Sequence, residues 1–381
     1  MRKMPKKEAK KMQQQRELMF TPGPTEVNPI VLRAMSRRII NPDIDERFYE
    51  IYDALCNKIR KVAGTKSDLF IMAGEGMVAL DSAVANLVEP REEVLAITSG
   101  VFGDGFADLI KRYGGRPNLV KAEYDTVVSA SEVERAIETN SKIRVATFVH
   151  CETPAGTIAS LAEIGKVLND HDVIMIADVV STLGGVEVNA DRNHVDVCLG
   201  ASQKCFSAPP GLAMISVSKR AWGKIELRKS KVAPFYLDLS EWKRNWLGQR
   251  VFPYTQSVSD IFALDAALDL IIKEGVSSVY ERHSKVAQYV RESCGKLGLE
   301  LYPKATEICS DTVTALKIPK GIEDQELRNV MARKYGVVIG GSWGKIAGKV
   351  IRLGHMGYNA DMKKASRAID ALARTLESFG F

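Results

Sequence analysis

Two segments of the chain hold residues that fit one cofactor. Ile174-Met-Ile-Ala-Asp178-Val-Val is an apolar run ending in an acid, and Gly200-Ala-Ser-Gln-Lys204-Cys-Phe-Ser-Ala-Pro-Pro-Gly211 sets a lysine in a small-residue loop. A lysine amine forms a Schiff base with an aldehyde. A carboxylate facing a ring nitrogen keeps that nitrogen protonated, so that the ring accepts the electrons of a carbanion. Pyridoxal phosphate needs both groups, and an acid and a lysine at the ends of neighbouring parallel strands meet across one ring. Lys204 stands between the apolar run Val195–Leu199 and Pro209-Pro210-Gly211, where a charged side chain cannot simply continue a helix face. Burial there lowers a lysine's pKa and suits it to act as nucleophile and proton carrier.

The elements that must position these groups read as alternating strands and helices. The apolar run Leu69–Met72 precedes Gly74-Glu75-Gly76 and a helix over Met77–Val88. The strand Val94–Thr98 leads through a loop, Ser99–Gly105, into a helix ending at Tyr113, and Val145–Val149 ends at His150-Cys-Glu152-Thr153-Pro-Ala-Gly156. The helix Leu161–Asn169 leads to the strand Ile174–Ala177, and the strands Val195–Leu199 and Ala213–Val217 complete the series. Such a βαβ series predicts an α/β fold, a mainly parallel sheet between helices. The polar loops follow strand carboxyl ends, where open α/β sheets bind ligands.

Before the sheet, Phe20-Thr-Pro-Gly-Pro-Thr-Glu-Val27 is extended because its prolines forbid helix, and Glu46–Arg60 carries an apolar stripe of Phe48, Ile51, Leu55 and Ile59. After it, one long amphipathic stretch from Ser259 to about Leu297 leads into a smaller α+β unit. That unit reads as strand Val313–Ile318, helix Asp324–Lys334, strands Val337–Ile339 and Val350–Leu353, and a last helix Asp361–Phe379. The expected organisation is a basic arm over residues 1–19, a large domain over 20–260, and a connecting helix with a small domain over 261–381.

Composition narrows the function. The chain has 381 residues, 45% hydrophobic and 26% charged, which is enough to bury a sizeable core. Much of the formal charge of +6 comes from Arg2, Lys3, Lys6, Lys7, Lys10, Lys11 and Arg16 in the arm. The rest is near neutral, so no nucleic-acid footprint is expected. The arm lacks the apolar core of a secretory signal, and no apolar run reaches the ~20 residues of a membrane span. The six cysteines include no CxxC pair and the five histidines are scattered, which predicts reduced thiols in a cytoplasmic protein and no metal site.

Gly74-Glu75-Gly76-Met77-Val-Ala79 follows a strand and opens a helix, where exposed N–H groups suit a phosphate. It also fits the dinucleotide pattern G-x-G-x-x-A. That reading needs an acid at the end of the next strand, and this strand ends Ile97-Thr98-Ser99.

In this ordered set the chain resembles the fold-type I, class V aminotransferases, especially the alanine–glyoxylate and serine–pyruvate group. The resemblance rests on Pro22-Gly23-Pro24, the Gly74–Ala79 turn, Ser99-Gly100, Glu152-Thr153-Pro-Ala-Gly156, Asp178-Val-Val180-Ser181, Gln203-Lys204, Pro209-Pro-Gly211 and Arg352-Leu-Gly-His-Met-Gly357. It runs from about Phe20 to the C-terminus and implies a mainly parallel sheet of seven-stranded type. By that resemblance Lys204 forms the Schiff base of pyridoxal 5'-phosphate and moves the Cα proton, while Asp178 pairs with the ring nitrogen. Val180 and Phe102 cover the two ring faces, and Thr153 reaches the ring hydroxyl. Glu75, Gly76, Met77 and Gln203 lie at the phosphate, with Thr255 supplied by the partner subunit of a homodimer with shared sites. Arg352 clamps the substrate carboxylate beside Gly23 and Pro24, its planar fork giving a bidentate pair. His355 receives no chemical role. The implied reaction moves an amino group from a small amino acid, alanine or serine, to glyoxylate or pyruvate.

Glu75 departs from many relatives, which carry Ser or Thr there; a carboxylate beside a phosphate repels it unless neutralised or turned away. A similar Gly-Glu pair occurs in pyridoxamine–pyruvate transaminase, which takes the unphosphorylated vitamin, although its second substrate-side arginine aligns with Trp343. The alternatives are therefore that reaction, a cysteine desulfurase-like lyase using Cys309, and a catalytically silent subunit.

Overall fold

A computed structural model describes residues 17–232 and 234–381. Most of the basic arm, residues 1–16, lies outside the described residues.

Apart from one edge strand, the central sheet is built from strands that are apolar on both faces, as strands covered by helices on both sides must be. They are β2 (Asp68–Ala73), β3 (Glu93–Thr98), β4 (Arg116–Lys121), β5 (Val145–Val149), β8 (Ile174–Asp178), β9 (Val197–Ala201) and β10 (Leu212–Val217). Their order is β2-β10-β9-β8-β5-β3-β4. β9, β8, β5, β3 and β4 pair in parallel, whereas β10 runs antiparallel between β2 and β9. The short hairpin β6 (Cys151–Glu152) and β7 (Thr157–Ile158) extends from the end of β5.

Two elements differ from the sequence expectation. β4 was not anticipated: it is an edge strand, Arg-Pro-Asn-Leu-Val-Lys, largely uncovered and interrupted by a proline, so it lacks an apolar run. The Ser99–Gly105 loop is mostly helix, because the helix Val101–Arg112 begins immediately after Gly100. Gly100 offers no side-chain cap, so the helix start depends on a distant residue, Glu152.

The long amphipathic stretch is two helices, Val258–Glu274 and Val276–Lys296, broken where Gly275 takes φ +92°. Beyond them, β11 (Thr314–Lys317), β13 (Gly340–Gly341) and β14 (Val350–Leu353) form a three-stranded antiparallel sheet in the order β11-β14-β13. The helices Asp324–Tyr335 and Met362–Ser378 belong to the same part of the chain. The strand β12 (Val337–Val338) leaves that sheet and pairs in parallel with β1 (Leu18–Met19).

Buried apolar side chains separate into clusters accordingly. The largest runs from Val31 to Val279 on both faces of the central sheet. A second joins Leu18 and Phe20 to residues between Val286 and Leu376, so the start of the described chain packs with its end. Two small clusters, Tyr124–Ala155–Ala315–Ile346–Val350 and Cys151–Cys205–Val313–Met356, combine residues of both parts. Among the described residues no helix is long and apolar enough to cross a membrane.

A buried acid fixes how β8 and β9 begin. Asp196, 6% exposed, accepts from the Met175 N–H (3.0 Å), the Ser218 hydroxyl (2.8 Å) and two guanidinium nitrogens of Arg220 (3.1 and 2.6 Å). Removing one member of such a network leaves the others desolvated and unpaired. Asp196→Ala is expected to cost about 3 kcal/mol, read as a lower urea midpoint at unchanged m-value. A loss within about 0.5 kcal/mol, the range of ordinary surface changes, would show the network to be unimportant.

Candidate active site

Asp178 is the last residue of β8, and Lys204 follows the end of the adjacent parallel strand β9. The Asp178 carboxylate accepts the Val180 N–H at 2.8 Å. Burial raises its pKa to about 6, against the opposing pull of that N–H and of Lys204. The lysine loop is closed locally: the Ser202 hydroxyl donates to the Pro209 carbonyl (2.6 Å) and accepts the Leu212 N–H (3.3 Å). Burial, and then the charge of Arg352, push the Lys204 pKa down.

Lys204 Nζ does not bond Asp178; it donates to the Pro22 carbonyl at 2.9 Å. That carbonyl arrives because the extended segment Phe20–Thr25 passes between β14 and the lysine loop. The Gly354 N–H donates to Phe20 (2.9 Å) and the Thr25 N–H to Gln203 (3.1 Å). Gly23 is required at the crossing, since its φ is +101° and a Cβ would lie 2.4 Å from Lys204 Cδ.

Gly23, Pro24, Glu75, Gly76, Met77, Phe102, Asp178, Val180, Gln203 and Lys204 line one cavity of about 460 Å³. Three expected residues do not line it. Thr153 is buried in the turn after β6. Thr255 is exposed, and its hydroxyl donates to Asp43 at 2.9 Å. Arg352 is buried on β14, where its Nε donates to the Gly341 carbonyl at 2.6 Å. Its guanidinium lies 5.4 Å from the centre of the Trp343 ring, and Trp343 does line the cavity. Burial lowers the Arg352 pKa to about 10, with Arg328 adding repulsion. Cys309 is also absent from the lining: its thiol donates to the Ala305 carbonyl, and burial raises its pKa.

At one end of the cavity the helix Gly76–Leu87 begins, pressed so close to the sheet that a Cβ on Gly76 would lie 3.2 Å from Ala201 and Val180. Glu75 caps this helix. Its carboxylate accepts the Met77 N–H (3.0 Å) and the Gln203 amide N–H (3.3 Å). The Gln203 side-chain amide oxygen, Oε1, is buried without a partner, a polar atom left for a ligand to satisfy. The amine, the carboxylate and the aromatic and aliphatic walls fit the pyridoxal ring.

Sequence reasoning gave no role to Glu152 and only an alignment to Trp343. Glu152 is buried, and its two oxygens accept the Phe102 N–H (3.1 Å) and the Gly103 N–H (2.7 Å). It thereby replaces the cap that Gly100 lacks and fixes Phe102 in the cavity wall. Gly100 must stay small, as a Cβ there would lie 2.3 Å from the Glu152 carboxyl carbon. Burial pushes the Glu152 pKa up to about 7, with Asp178 and Asp104 adding to the rise. The signal was an acid beside Thr153, but its target lies 50 residues away in the chain. Burial pushes the pKa values of His150, His283 and His355 down; the His355 ring also meets the Thr314 hydroxyl (2.8 Å) and the Asp311 carbonyl (3.2 Å). Among the described residues no cluster of ligating side chains could hold a metal ion.

The family model "Aminotransferase class-V" matches residues 18–361. An uncharacterised aminotransferase of Methanocaldococcus jannaschii is 37% identical over 96% of this chain and 94% of its own length. A pyridoxamine–pyruvate transaminase of Mesorhizobium japonicum is 33% identical over 95% of this chain and 92% of its own. Among solved structures, an alanine–glyoxylate aminotransferase from Nostoc superposes with a TM-score of 0.91 at 31% identity, covering 95% of each chain. The chain belongs to the class V aminotransferases of fold type I, which depend on pyridoxal phosphate.

Glu152 makes a pH prediction. A buried acid with a raised folded-state pKa stabilises the fold fully below its unfolded value, and that contribution is lost as pH rises through the folded value. With Glu152 at about 7, wild type should lose on the order of 3 kcal/mol relative to Glu152→Gln between pH 4 and 8. Urea titrations of both cofactor-free proteins across that range read the difference. A gap that does not vary with pH would mean Glu152 titrates normally.

Proposed function

We propose that the protein moves an amino group from a small amino acid, alanine or serine, to a 2-oxo acid, glyoxylate or pyruvate. The observation that carries this reading is the pair Lys204 and Asp178. They are presented to one cavity by the ends of adjacent parallel strands and are not bonded to each other. Bound pyridoxal phosphate supplies an aldehyde for the lysine and a ring that takes up the electron pair left by the departing Cα proton.

The chain's own residues would do the rest. Asp178 would face the ring nitrogen, and a cation opposite it would draw its raised pKa back down. Lys204, with its lowered pKa, would be available as a free amine to take the proton from Cα and return it to the cofactor's aldehyde-derived carbon, on the far side of the intervening nitrogen. Phe102, fixed by Glu152, and Val180 would wall the ring, and Thr153 would reach its hydroxyl. Gly76, Met77 and Gln203 would hold the far end, with Thr255 contributed across a homodimer interface. Arg352 would bind the substrate carboxylate as a bidentate pair beside Gly23 and Pro24. The same residues serve both halves of a ping-pong cycle, with the donor's 2-oxo acid leaving before the acceptor enters. Cytoplasmic location and a large domain ending near residue 260 complete the reading.

One observation favours a second reading, transamination of free pyridoxamine with pyruvate. Glu75 already occupies the helix N-terminus that would take a phosphate, and Gln203 offers a bare acceptor oxygen beside it. A hydroxymethyl group would donate to these oxygens, whereas a phosphate dianion would be repelled by the carboxylate.

A donor–acceptor screen followed by product mass, run with phosphorylated and free vitamin side by side, separates the two. Pyruvate or hydroxypyruvate formed from alanine or serine with the phosphorylated cofactor supports the first. Pyridoxal formed from pyridoxamine and pyruvate supports the second, and no turnover with bound cofactor would sink both. Lys204→Ala should abolish turnover while leaving the melting temperature close to that of the wild type. Glu75→Ser should raise affinity for the phosphorylated cofactor if the second reading holds. Removing like-charge repulsion at a part-buried site should gain roughly 1 kcal/mol, and an unchanged Kd would count against that reading.

A further inference from the structure

We infer that Trp343 is the specificity-determining residue of the site, selecting monocarboxylic substrates with small uncharged side chains. This deepens the reading above and rests on the cavity accepting amino acids.

Trp343 stands out among the four tryptophans of the chain. Trp222, Trp242 and Trp246 are buried in the main core, whereas Trp343 is 53% exposed. Its exposure is not slackness, because the loop that carries it is pinned on both sides. The Ser342 hydroxyl donates to the Pro154 carbonyl at 2.7 Å. Lys345 pairs with Glu123 (2.9 Å) and lies 4.1 Å above the Tyr124 ring. Between these anchors the indole meets the edge of Phe102 at 6.0 Å and 64° and lies beside the Arg352 guanidinium at 5.4 Å. An aromatic face held half in solvent at a cavity mouth has apolar surface left to cover.

The position decides what can cover it. The Arg352 guanidinium stands beside the ring, and on the reading above it is the cation that binds the substrate carboxylate. A substrate bound there has its side chain against the indole. Bulk is limited because Phe102 closes the other side of the ring. A second carboxylate would find no counter-ion. Lys204 is the one cation among the cavity-lining residues, Glu75 and Asp178 are anions, and Arg328 is engaged by both oxygens of Asp324 at 2.8 Å. A dicarboxylic donor would therefore meet an aromatic wall with no cation to receive its second carboxylate, whereas a methyl or hydroxymethyl side chain would meet only the wall.

The test compares kcat/KM for L-alanine, L-phenylalanine and L-glutamate in the wild type, Trp343→Phe, Trp343→Ala and Trp343→Arg. Removing the wall in Trp343→Ala should narrow the preference for alanine over phenylalanine by ~tenfold or more, the usual yield of an apolar pocket contact. Trp343→Arg should raise glutamate relative to alanine by a similar ~tenfold factor, while Trp343→Phe should keep the wild-type order. A binding readout independent of turnover accompanies it. Propionate, which has alanine's carboxylate and methyl without the amine, should shift or quench the exposed indole emission in the holoenzyme. The signal should be absent in Trp343→Phe and weaker with glutarate. Unchanged donor ratios in Trp343→Ala, an equal fall for every donor, or a propionate signal that survives in Trp343→Phe would each overturn the inference. Should the wild type transaminate none of the donors, the functional reading fails and the fluorescence titration alone decides the role of Trp343.

Discussion

The site depends on keeping an amine and a carboxylate out of water without letting them neutralise each other. Two opposite charges at the ends of adjacent strands would ordinarily collapse into an ion pair, which repays part of their desolvation. Here the Val180 N–H holds the Asp178 carboxylate and the Pro22 carbonyl holds the Lys204 amine. Neither partner carries a full charge, so both groups keep shifted pKa values, Asp178 upward and Lys204 downward. The free energy a direct pair would have gained stays available for a ligand that bridges them.

That separation is maintained by a segment far from both groups in sequence. Phe20–Thr25 runs between β14 and the lysine loop, and β1, just before it, pairs with β12. The start of the described chain thus fastens the C-terminal cluster to the lysine loop, and Gly23 is the point where they press together. Trp343 reaches the cavity from the C-terminal part of the chain, with Arg352 of β14 beside its ring. A shift of these elements relative to the central sheet would alter the lysine's hydrogen bond and the cavity mouth together.

Glu152 plays a comparable part on the other wall. A helix whose N-cap is glycine has unsatisfied N–H groups in its first turn. Supplying them from β6 couples the hairpin that carries Thr153 to the helix that carries Phe102. The cost is a buried acid with its pKa near neutrality.

The sequence by itself determined the strand–helix alternation, the parallel sheet and the identities of Asp178 and Lys204, because apolar runs ending in polar loops are local patterns that translate directly into strands and their carboxyl ends. The turn at Gly74–Gly76 and the extended Pro22–Pro24 segment were legible for the same reason: glycine and proline restrict the backbone wherever they stand. Tertiary structure alone decided that the Ser99–Gly105 segment is helical, with Glu152 capping it, and that Glu75 bonds Gln203. These depend on partners tens to hundreds of residues apart. A carboxylate's role as cap, repellent or ligand is set by which donors the fold brings to it, and no local pattern records that.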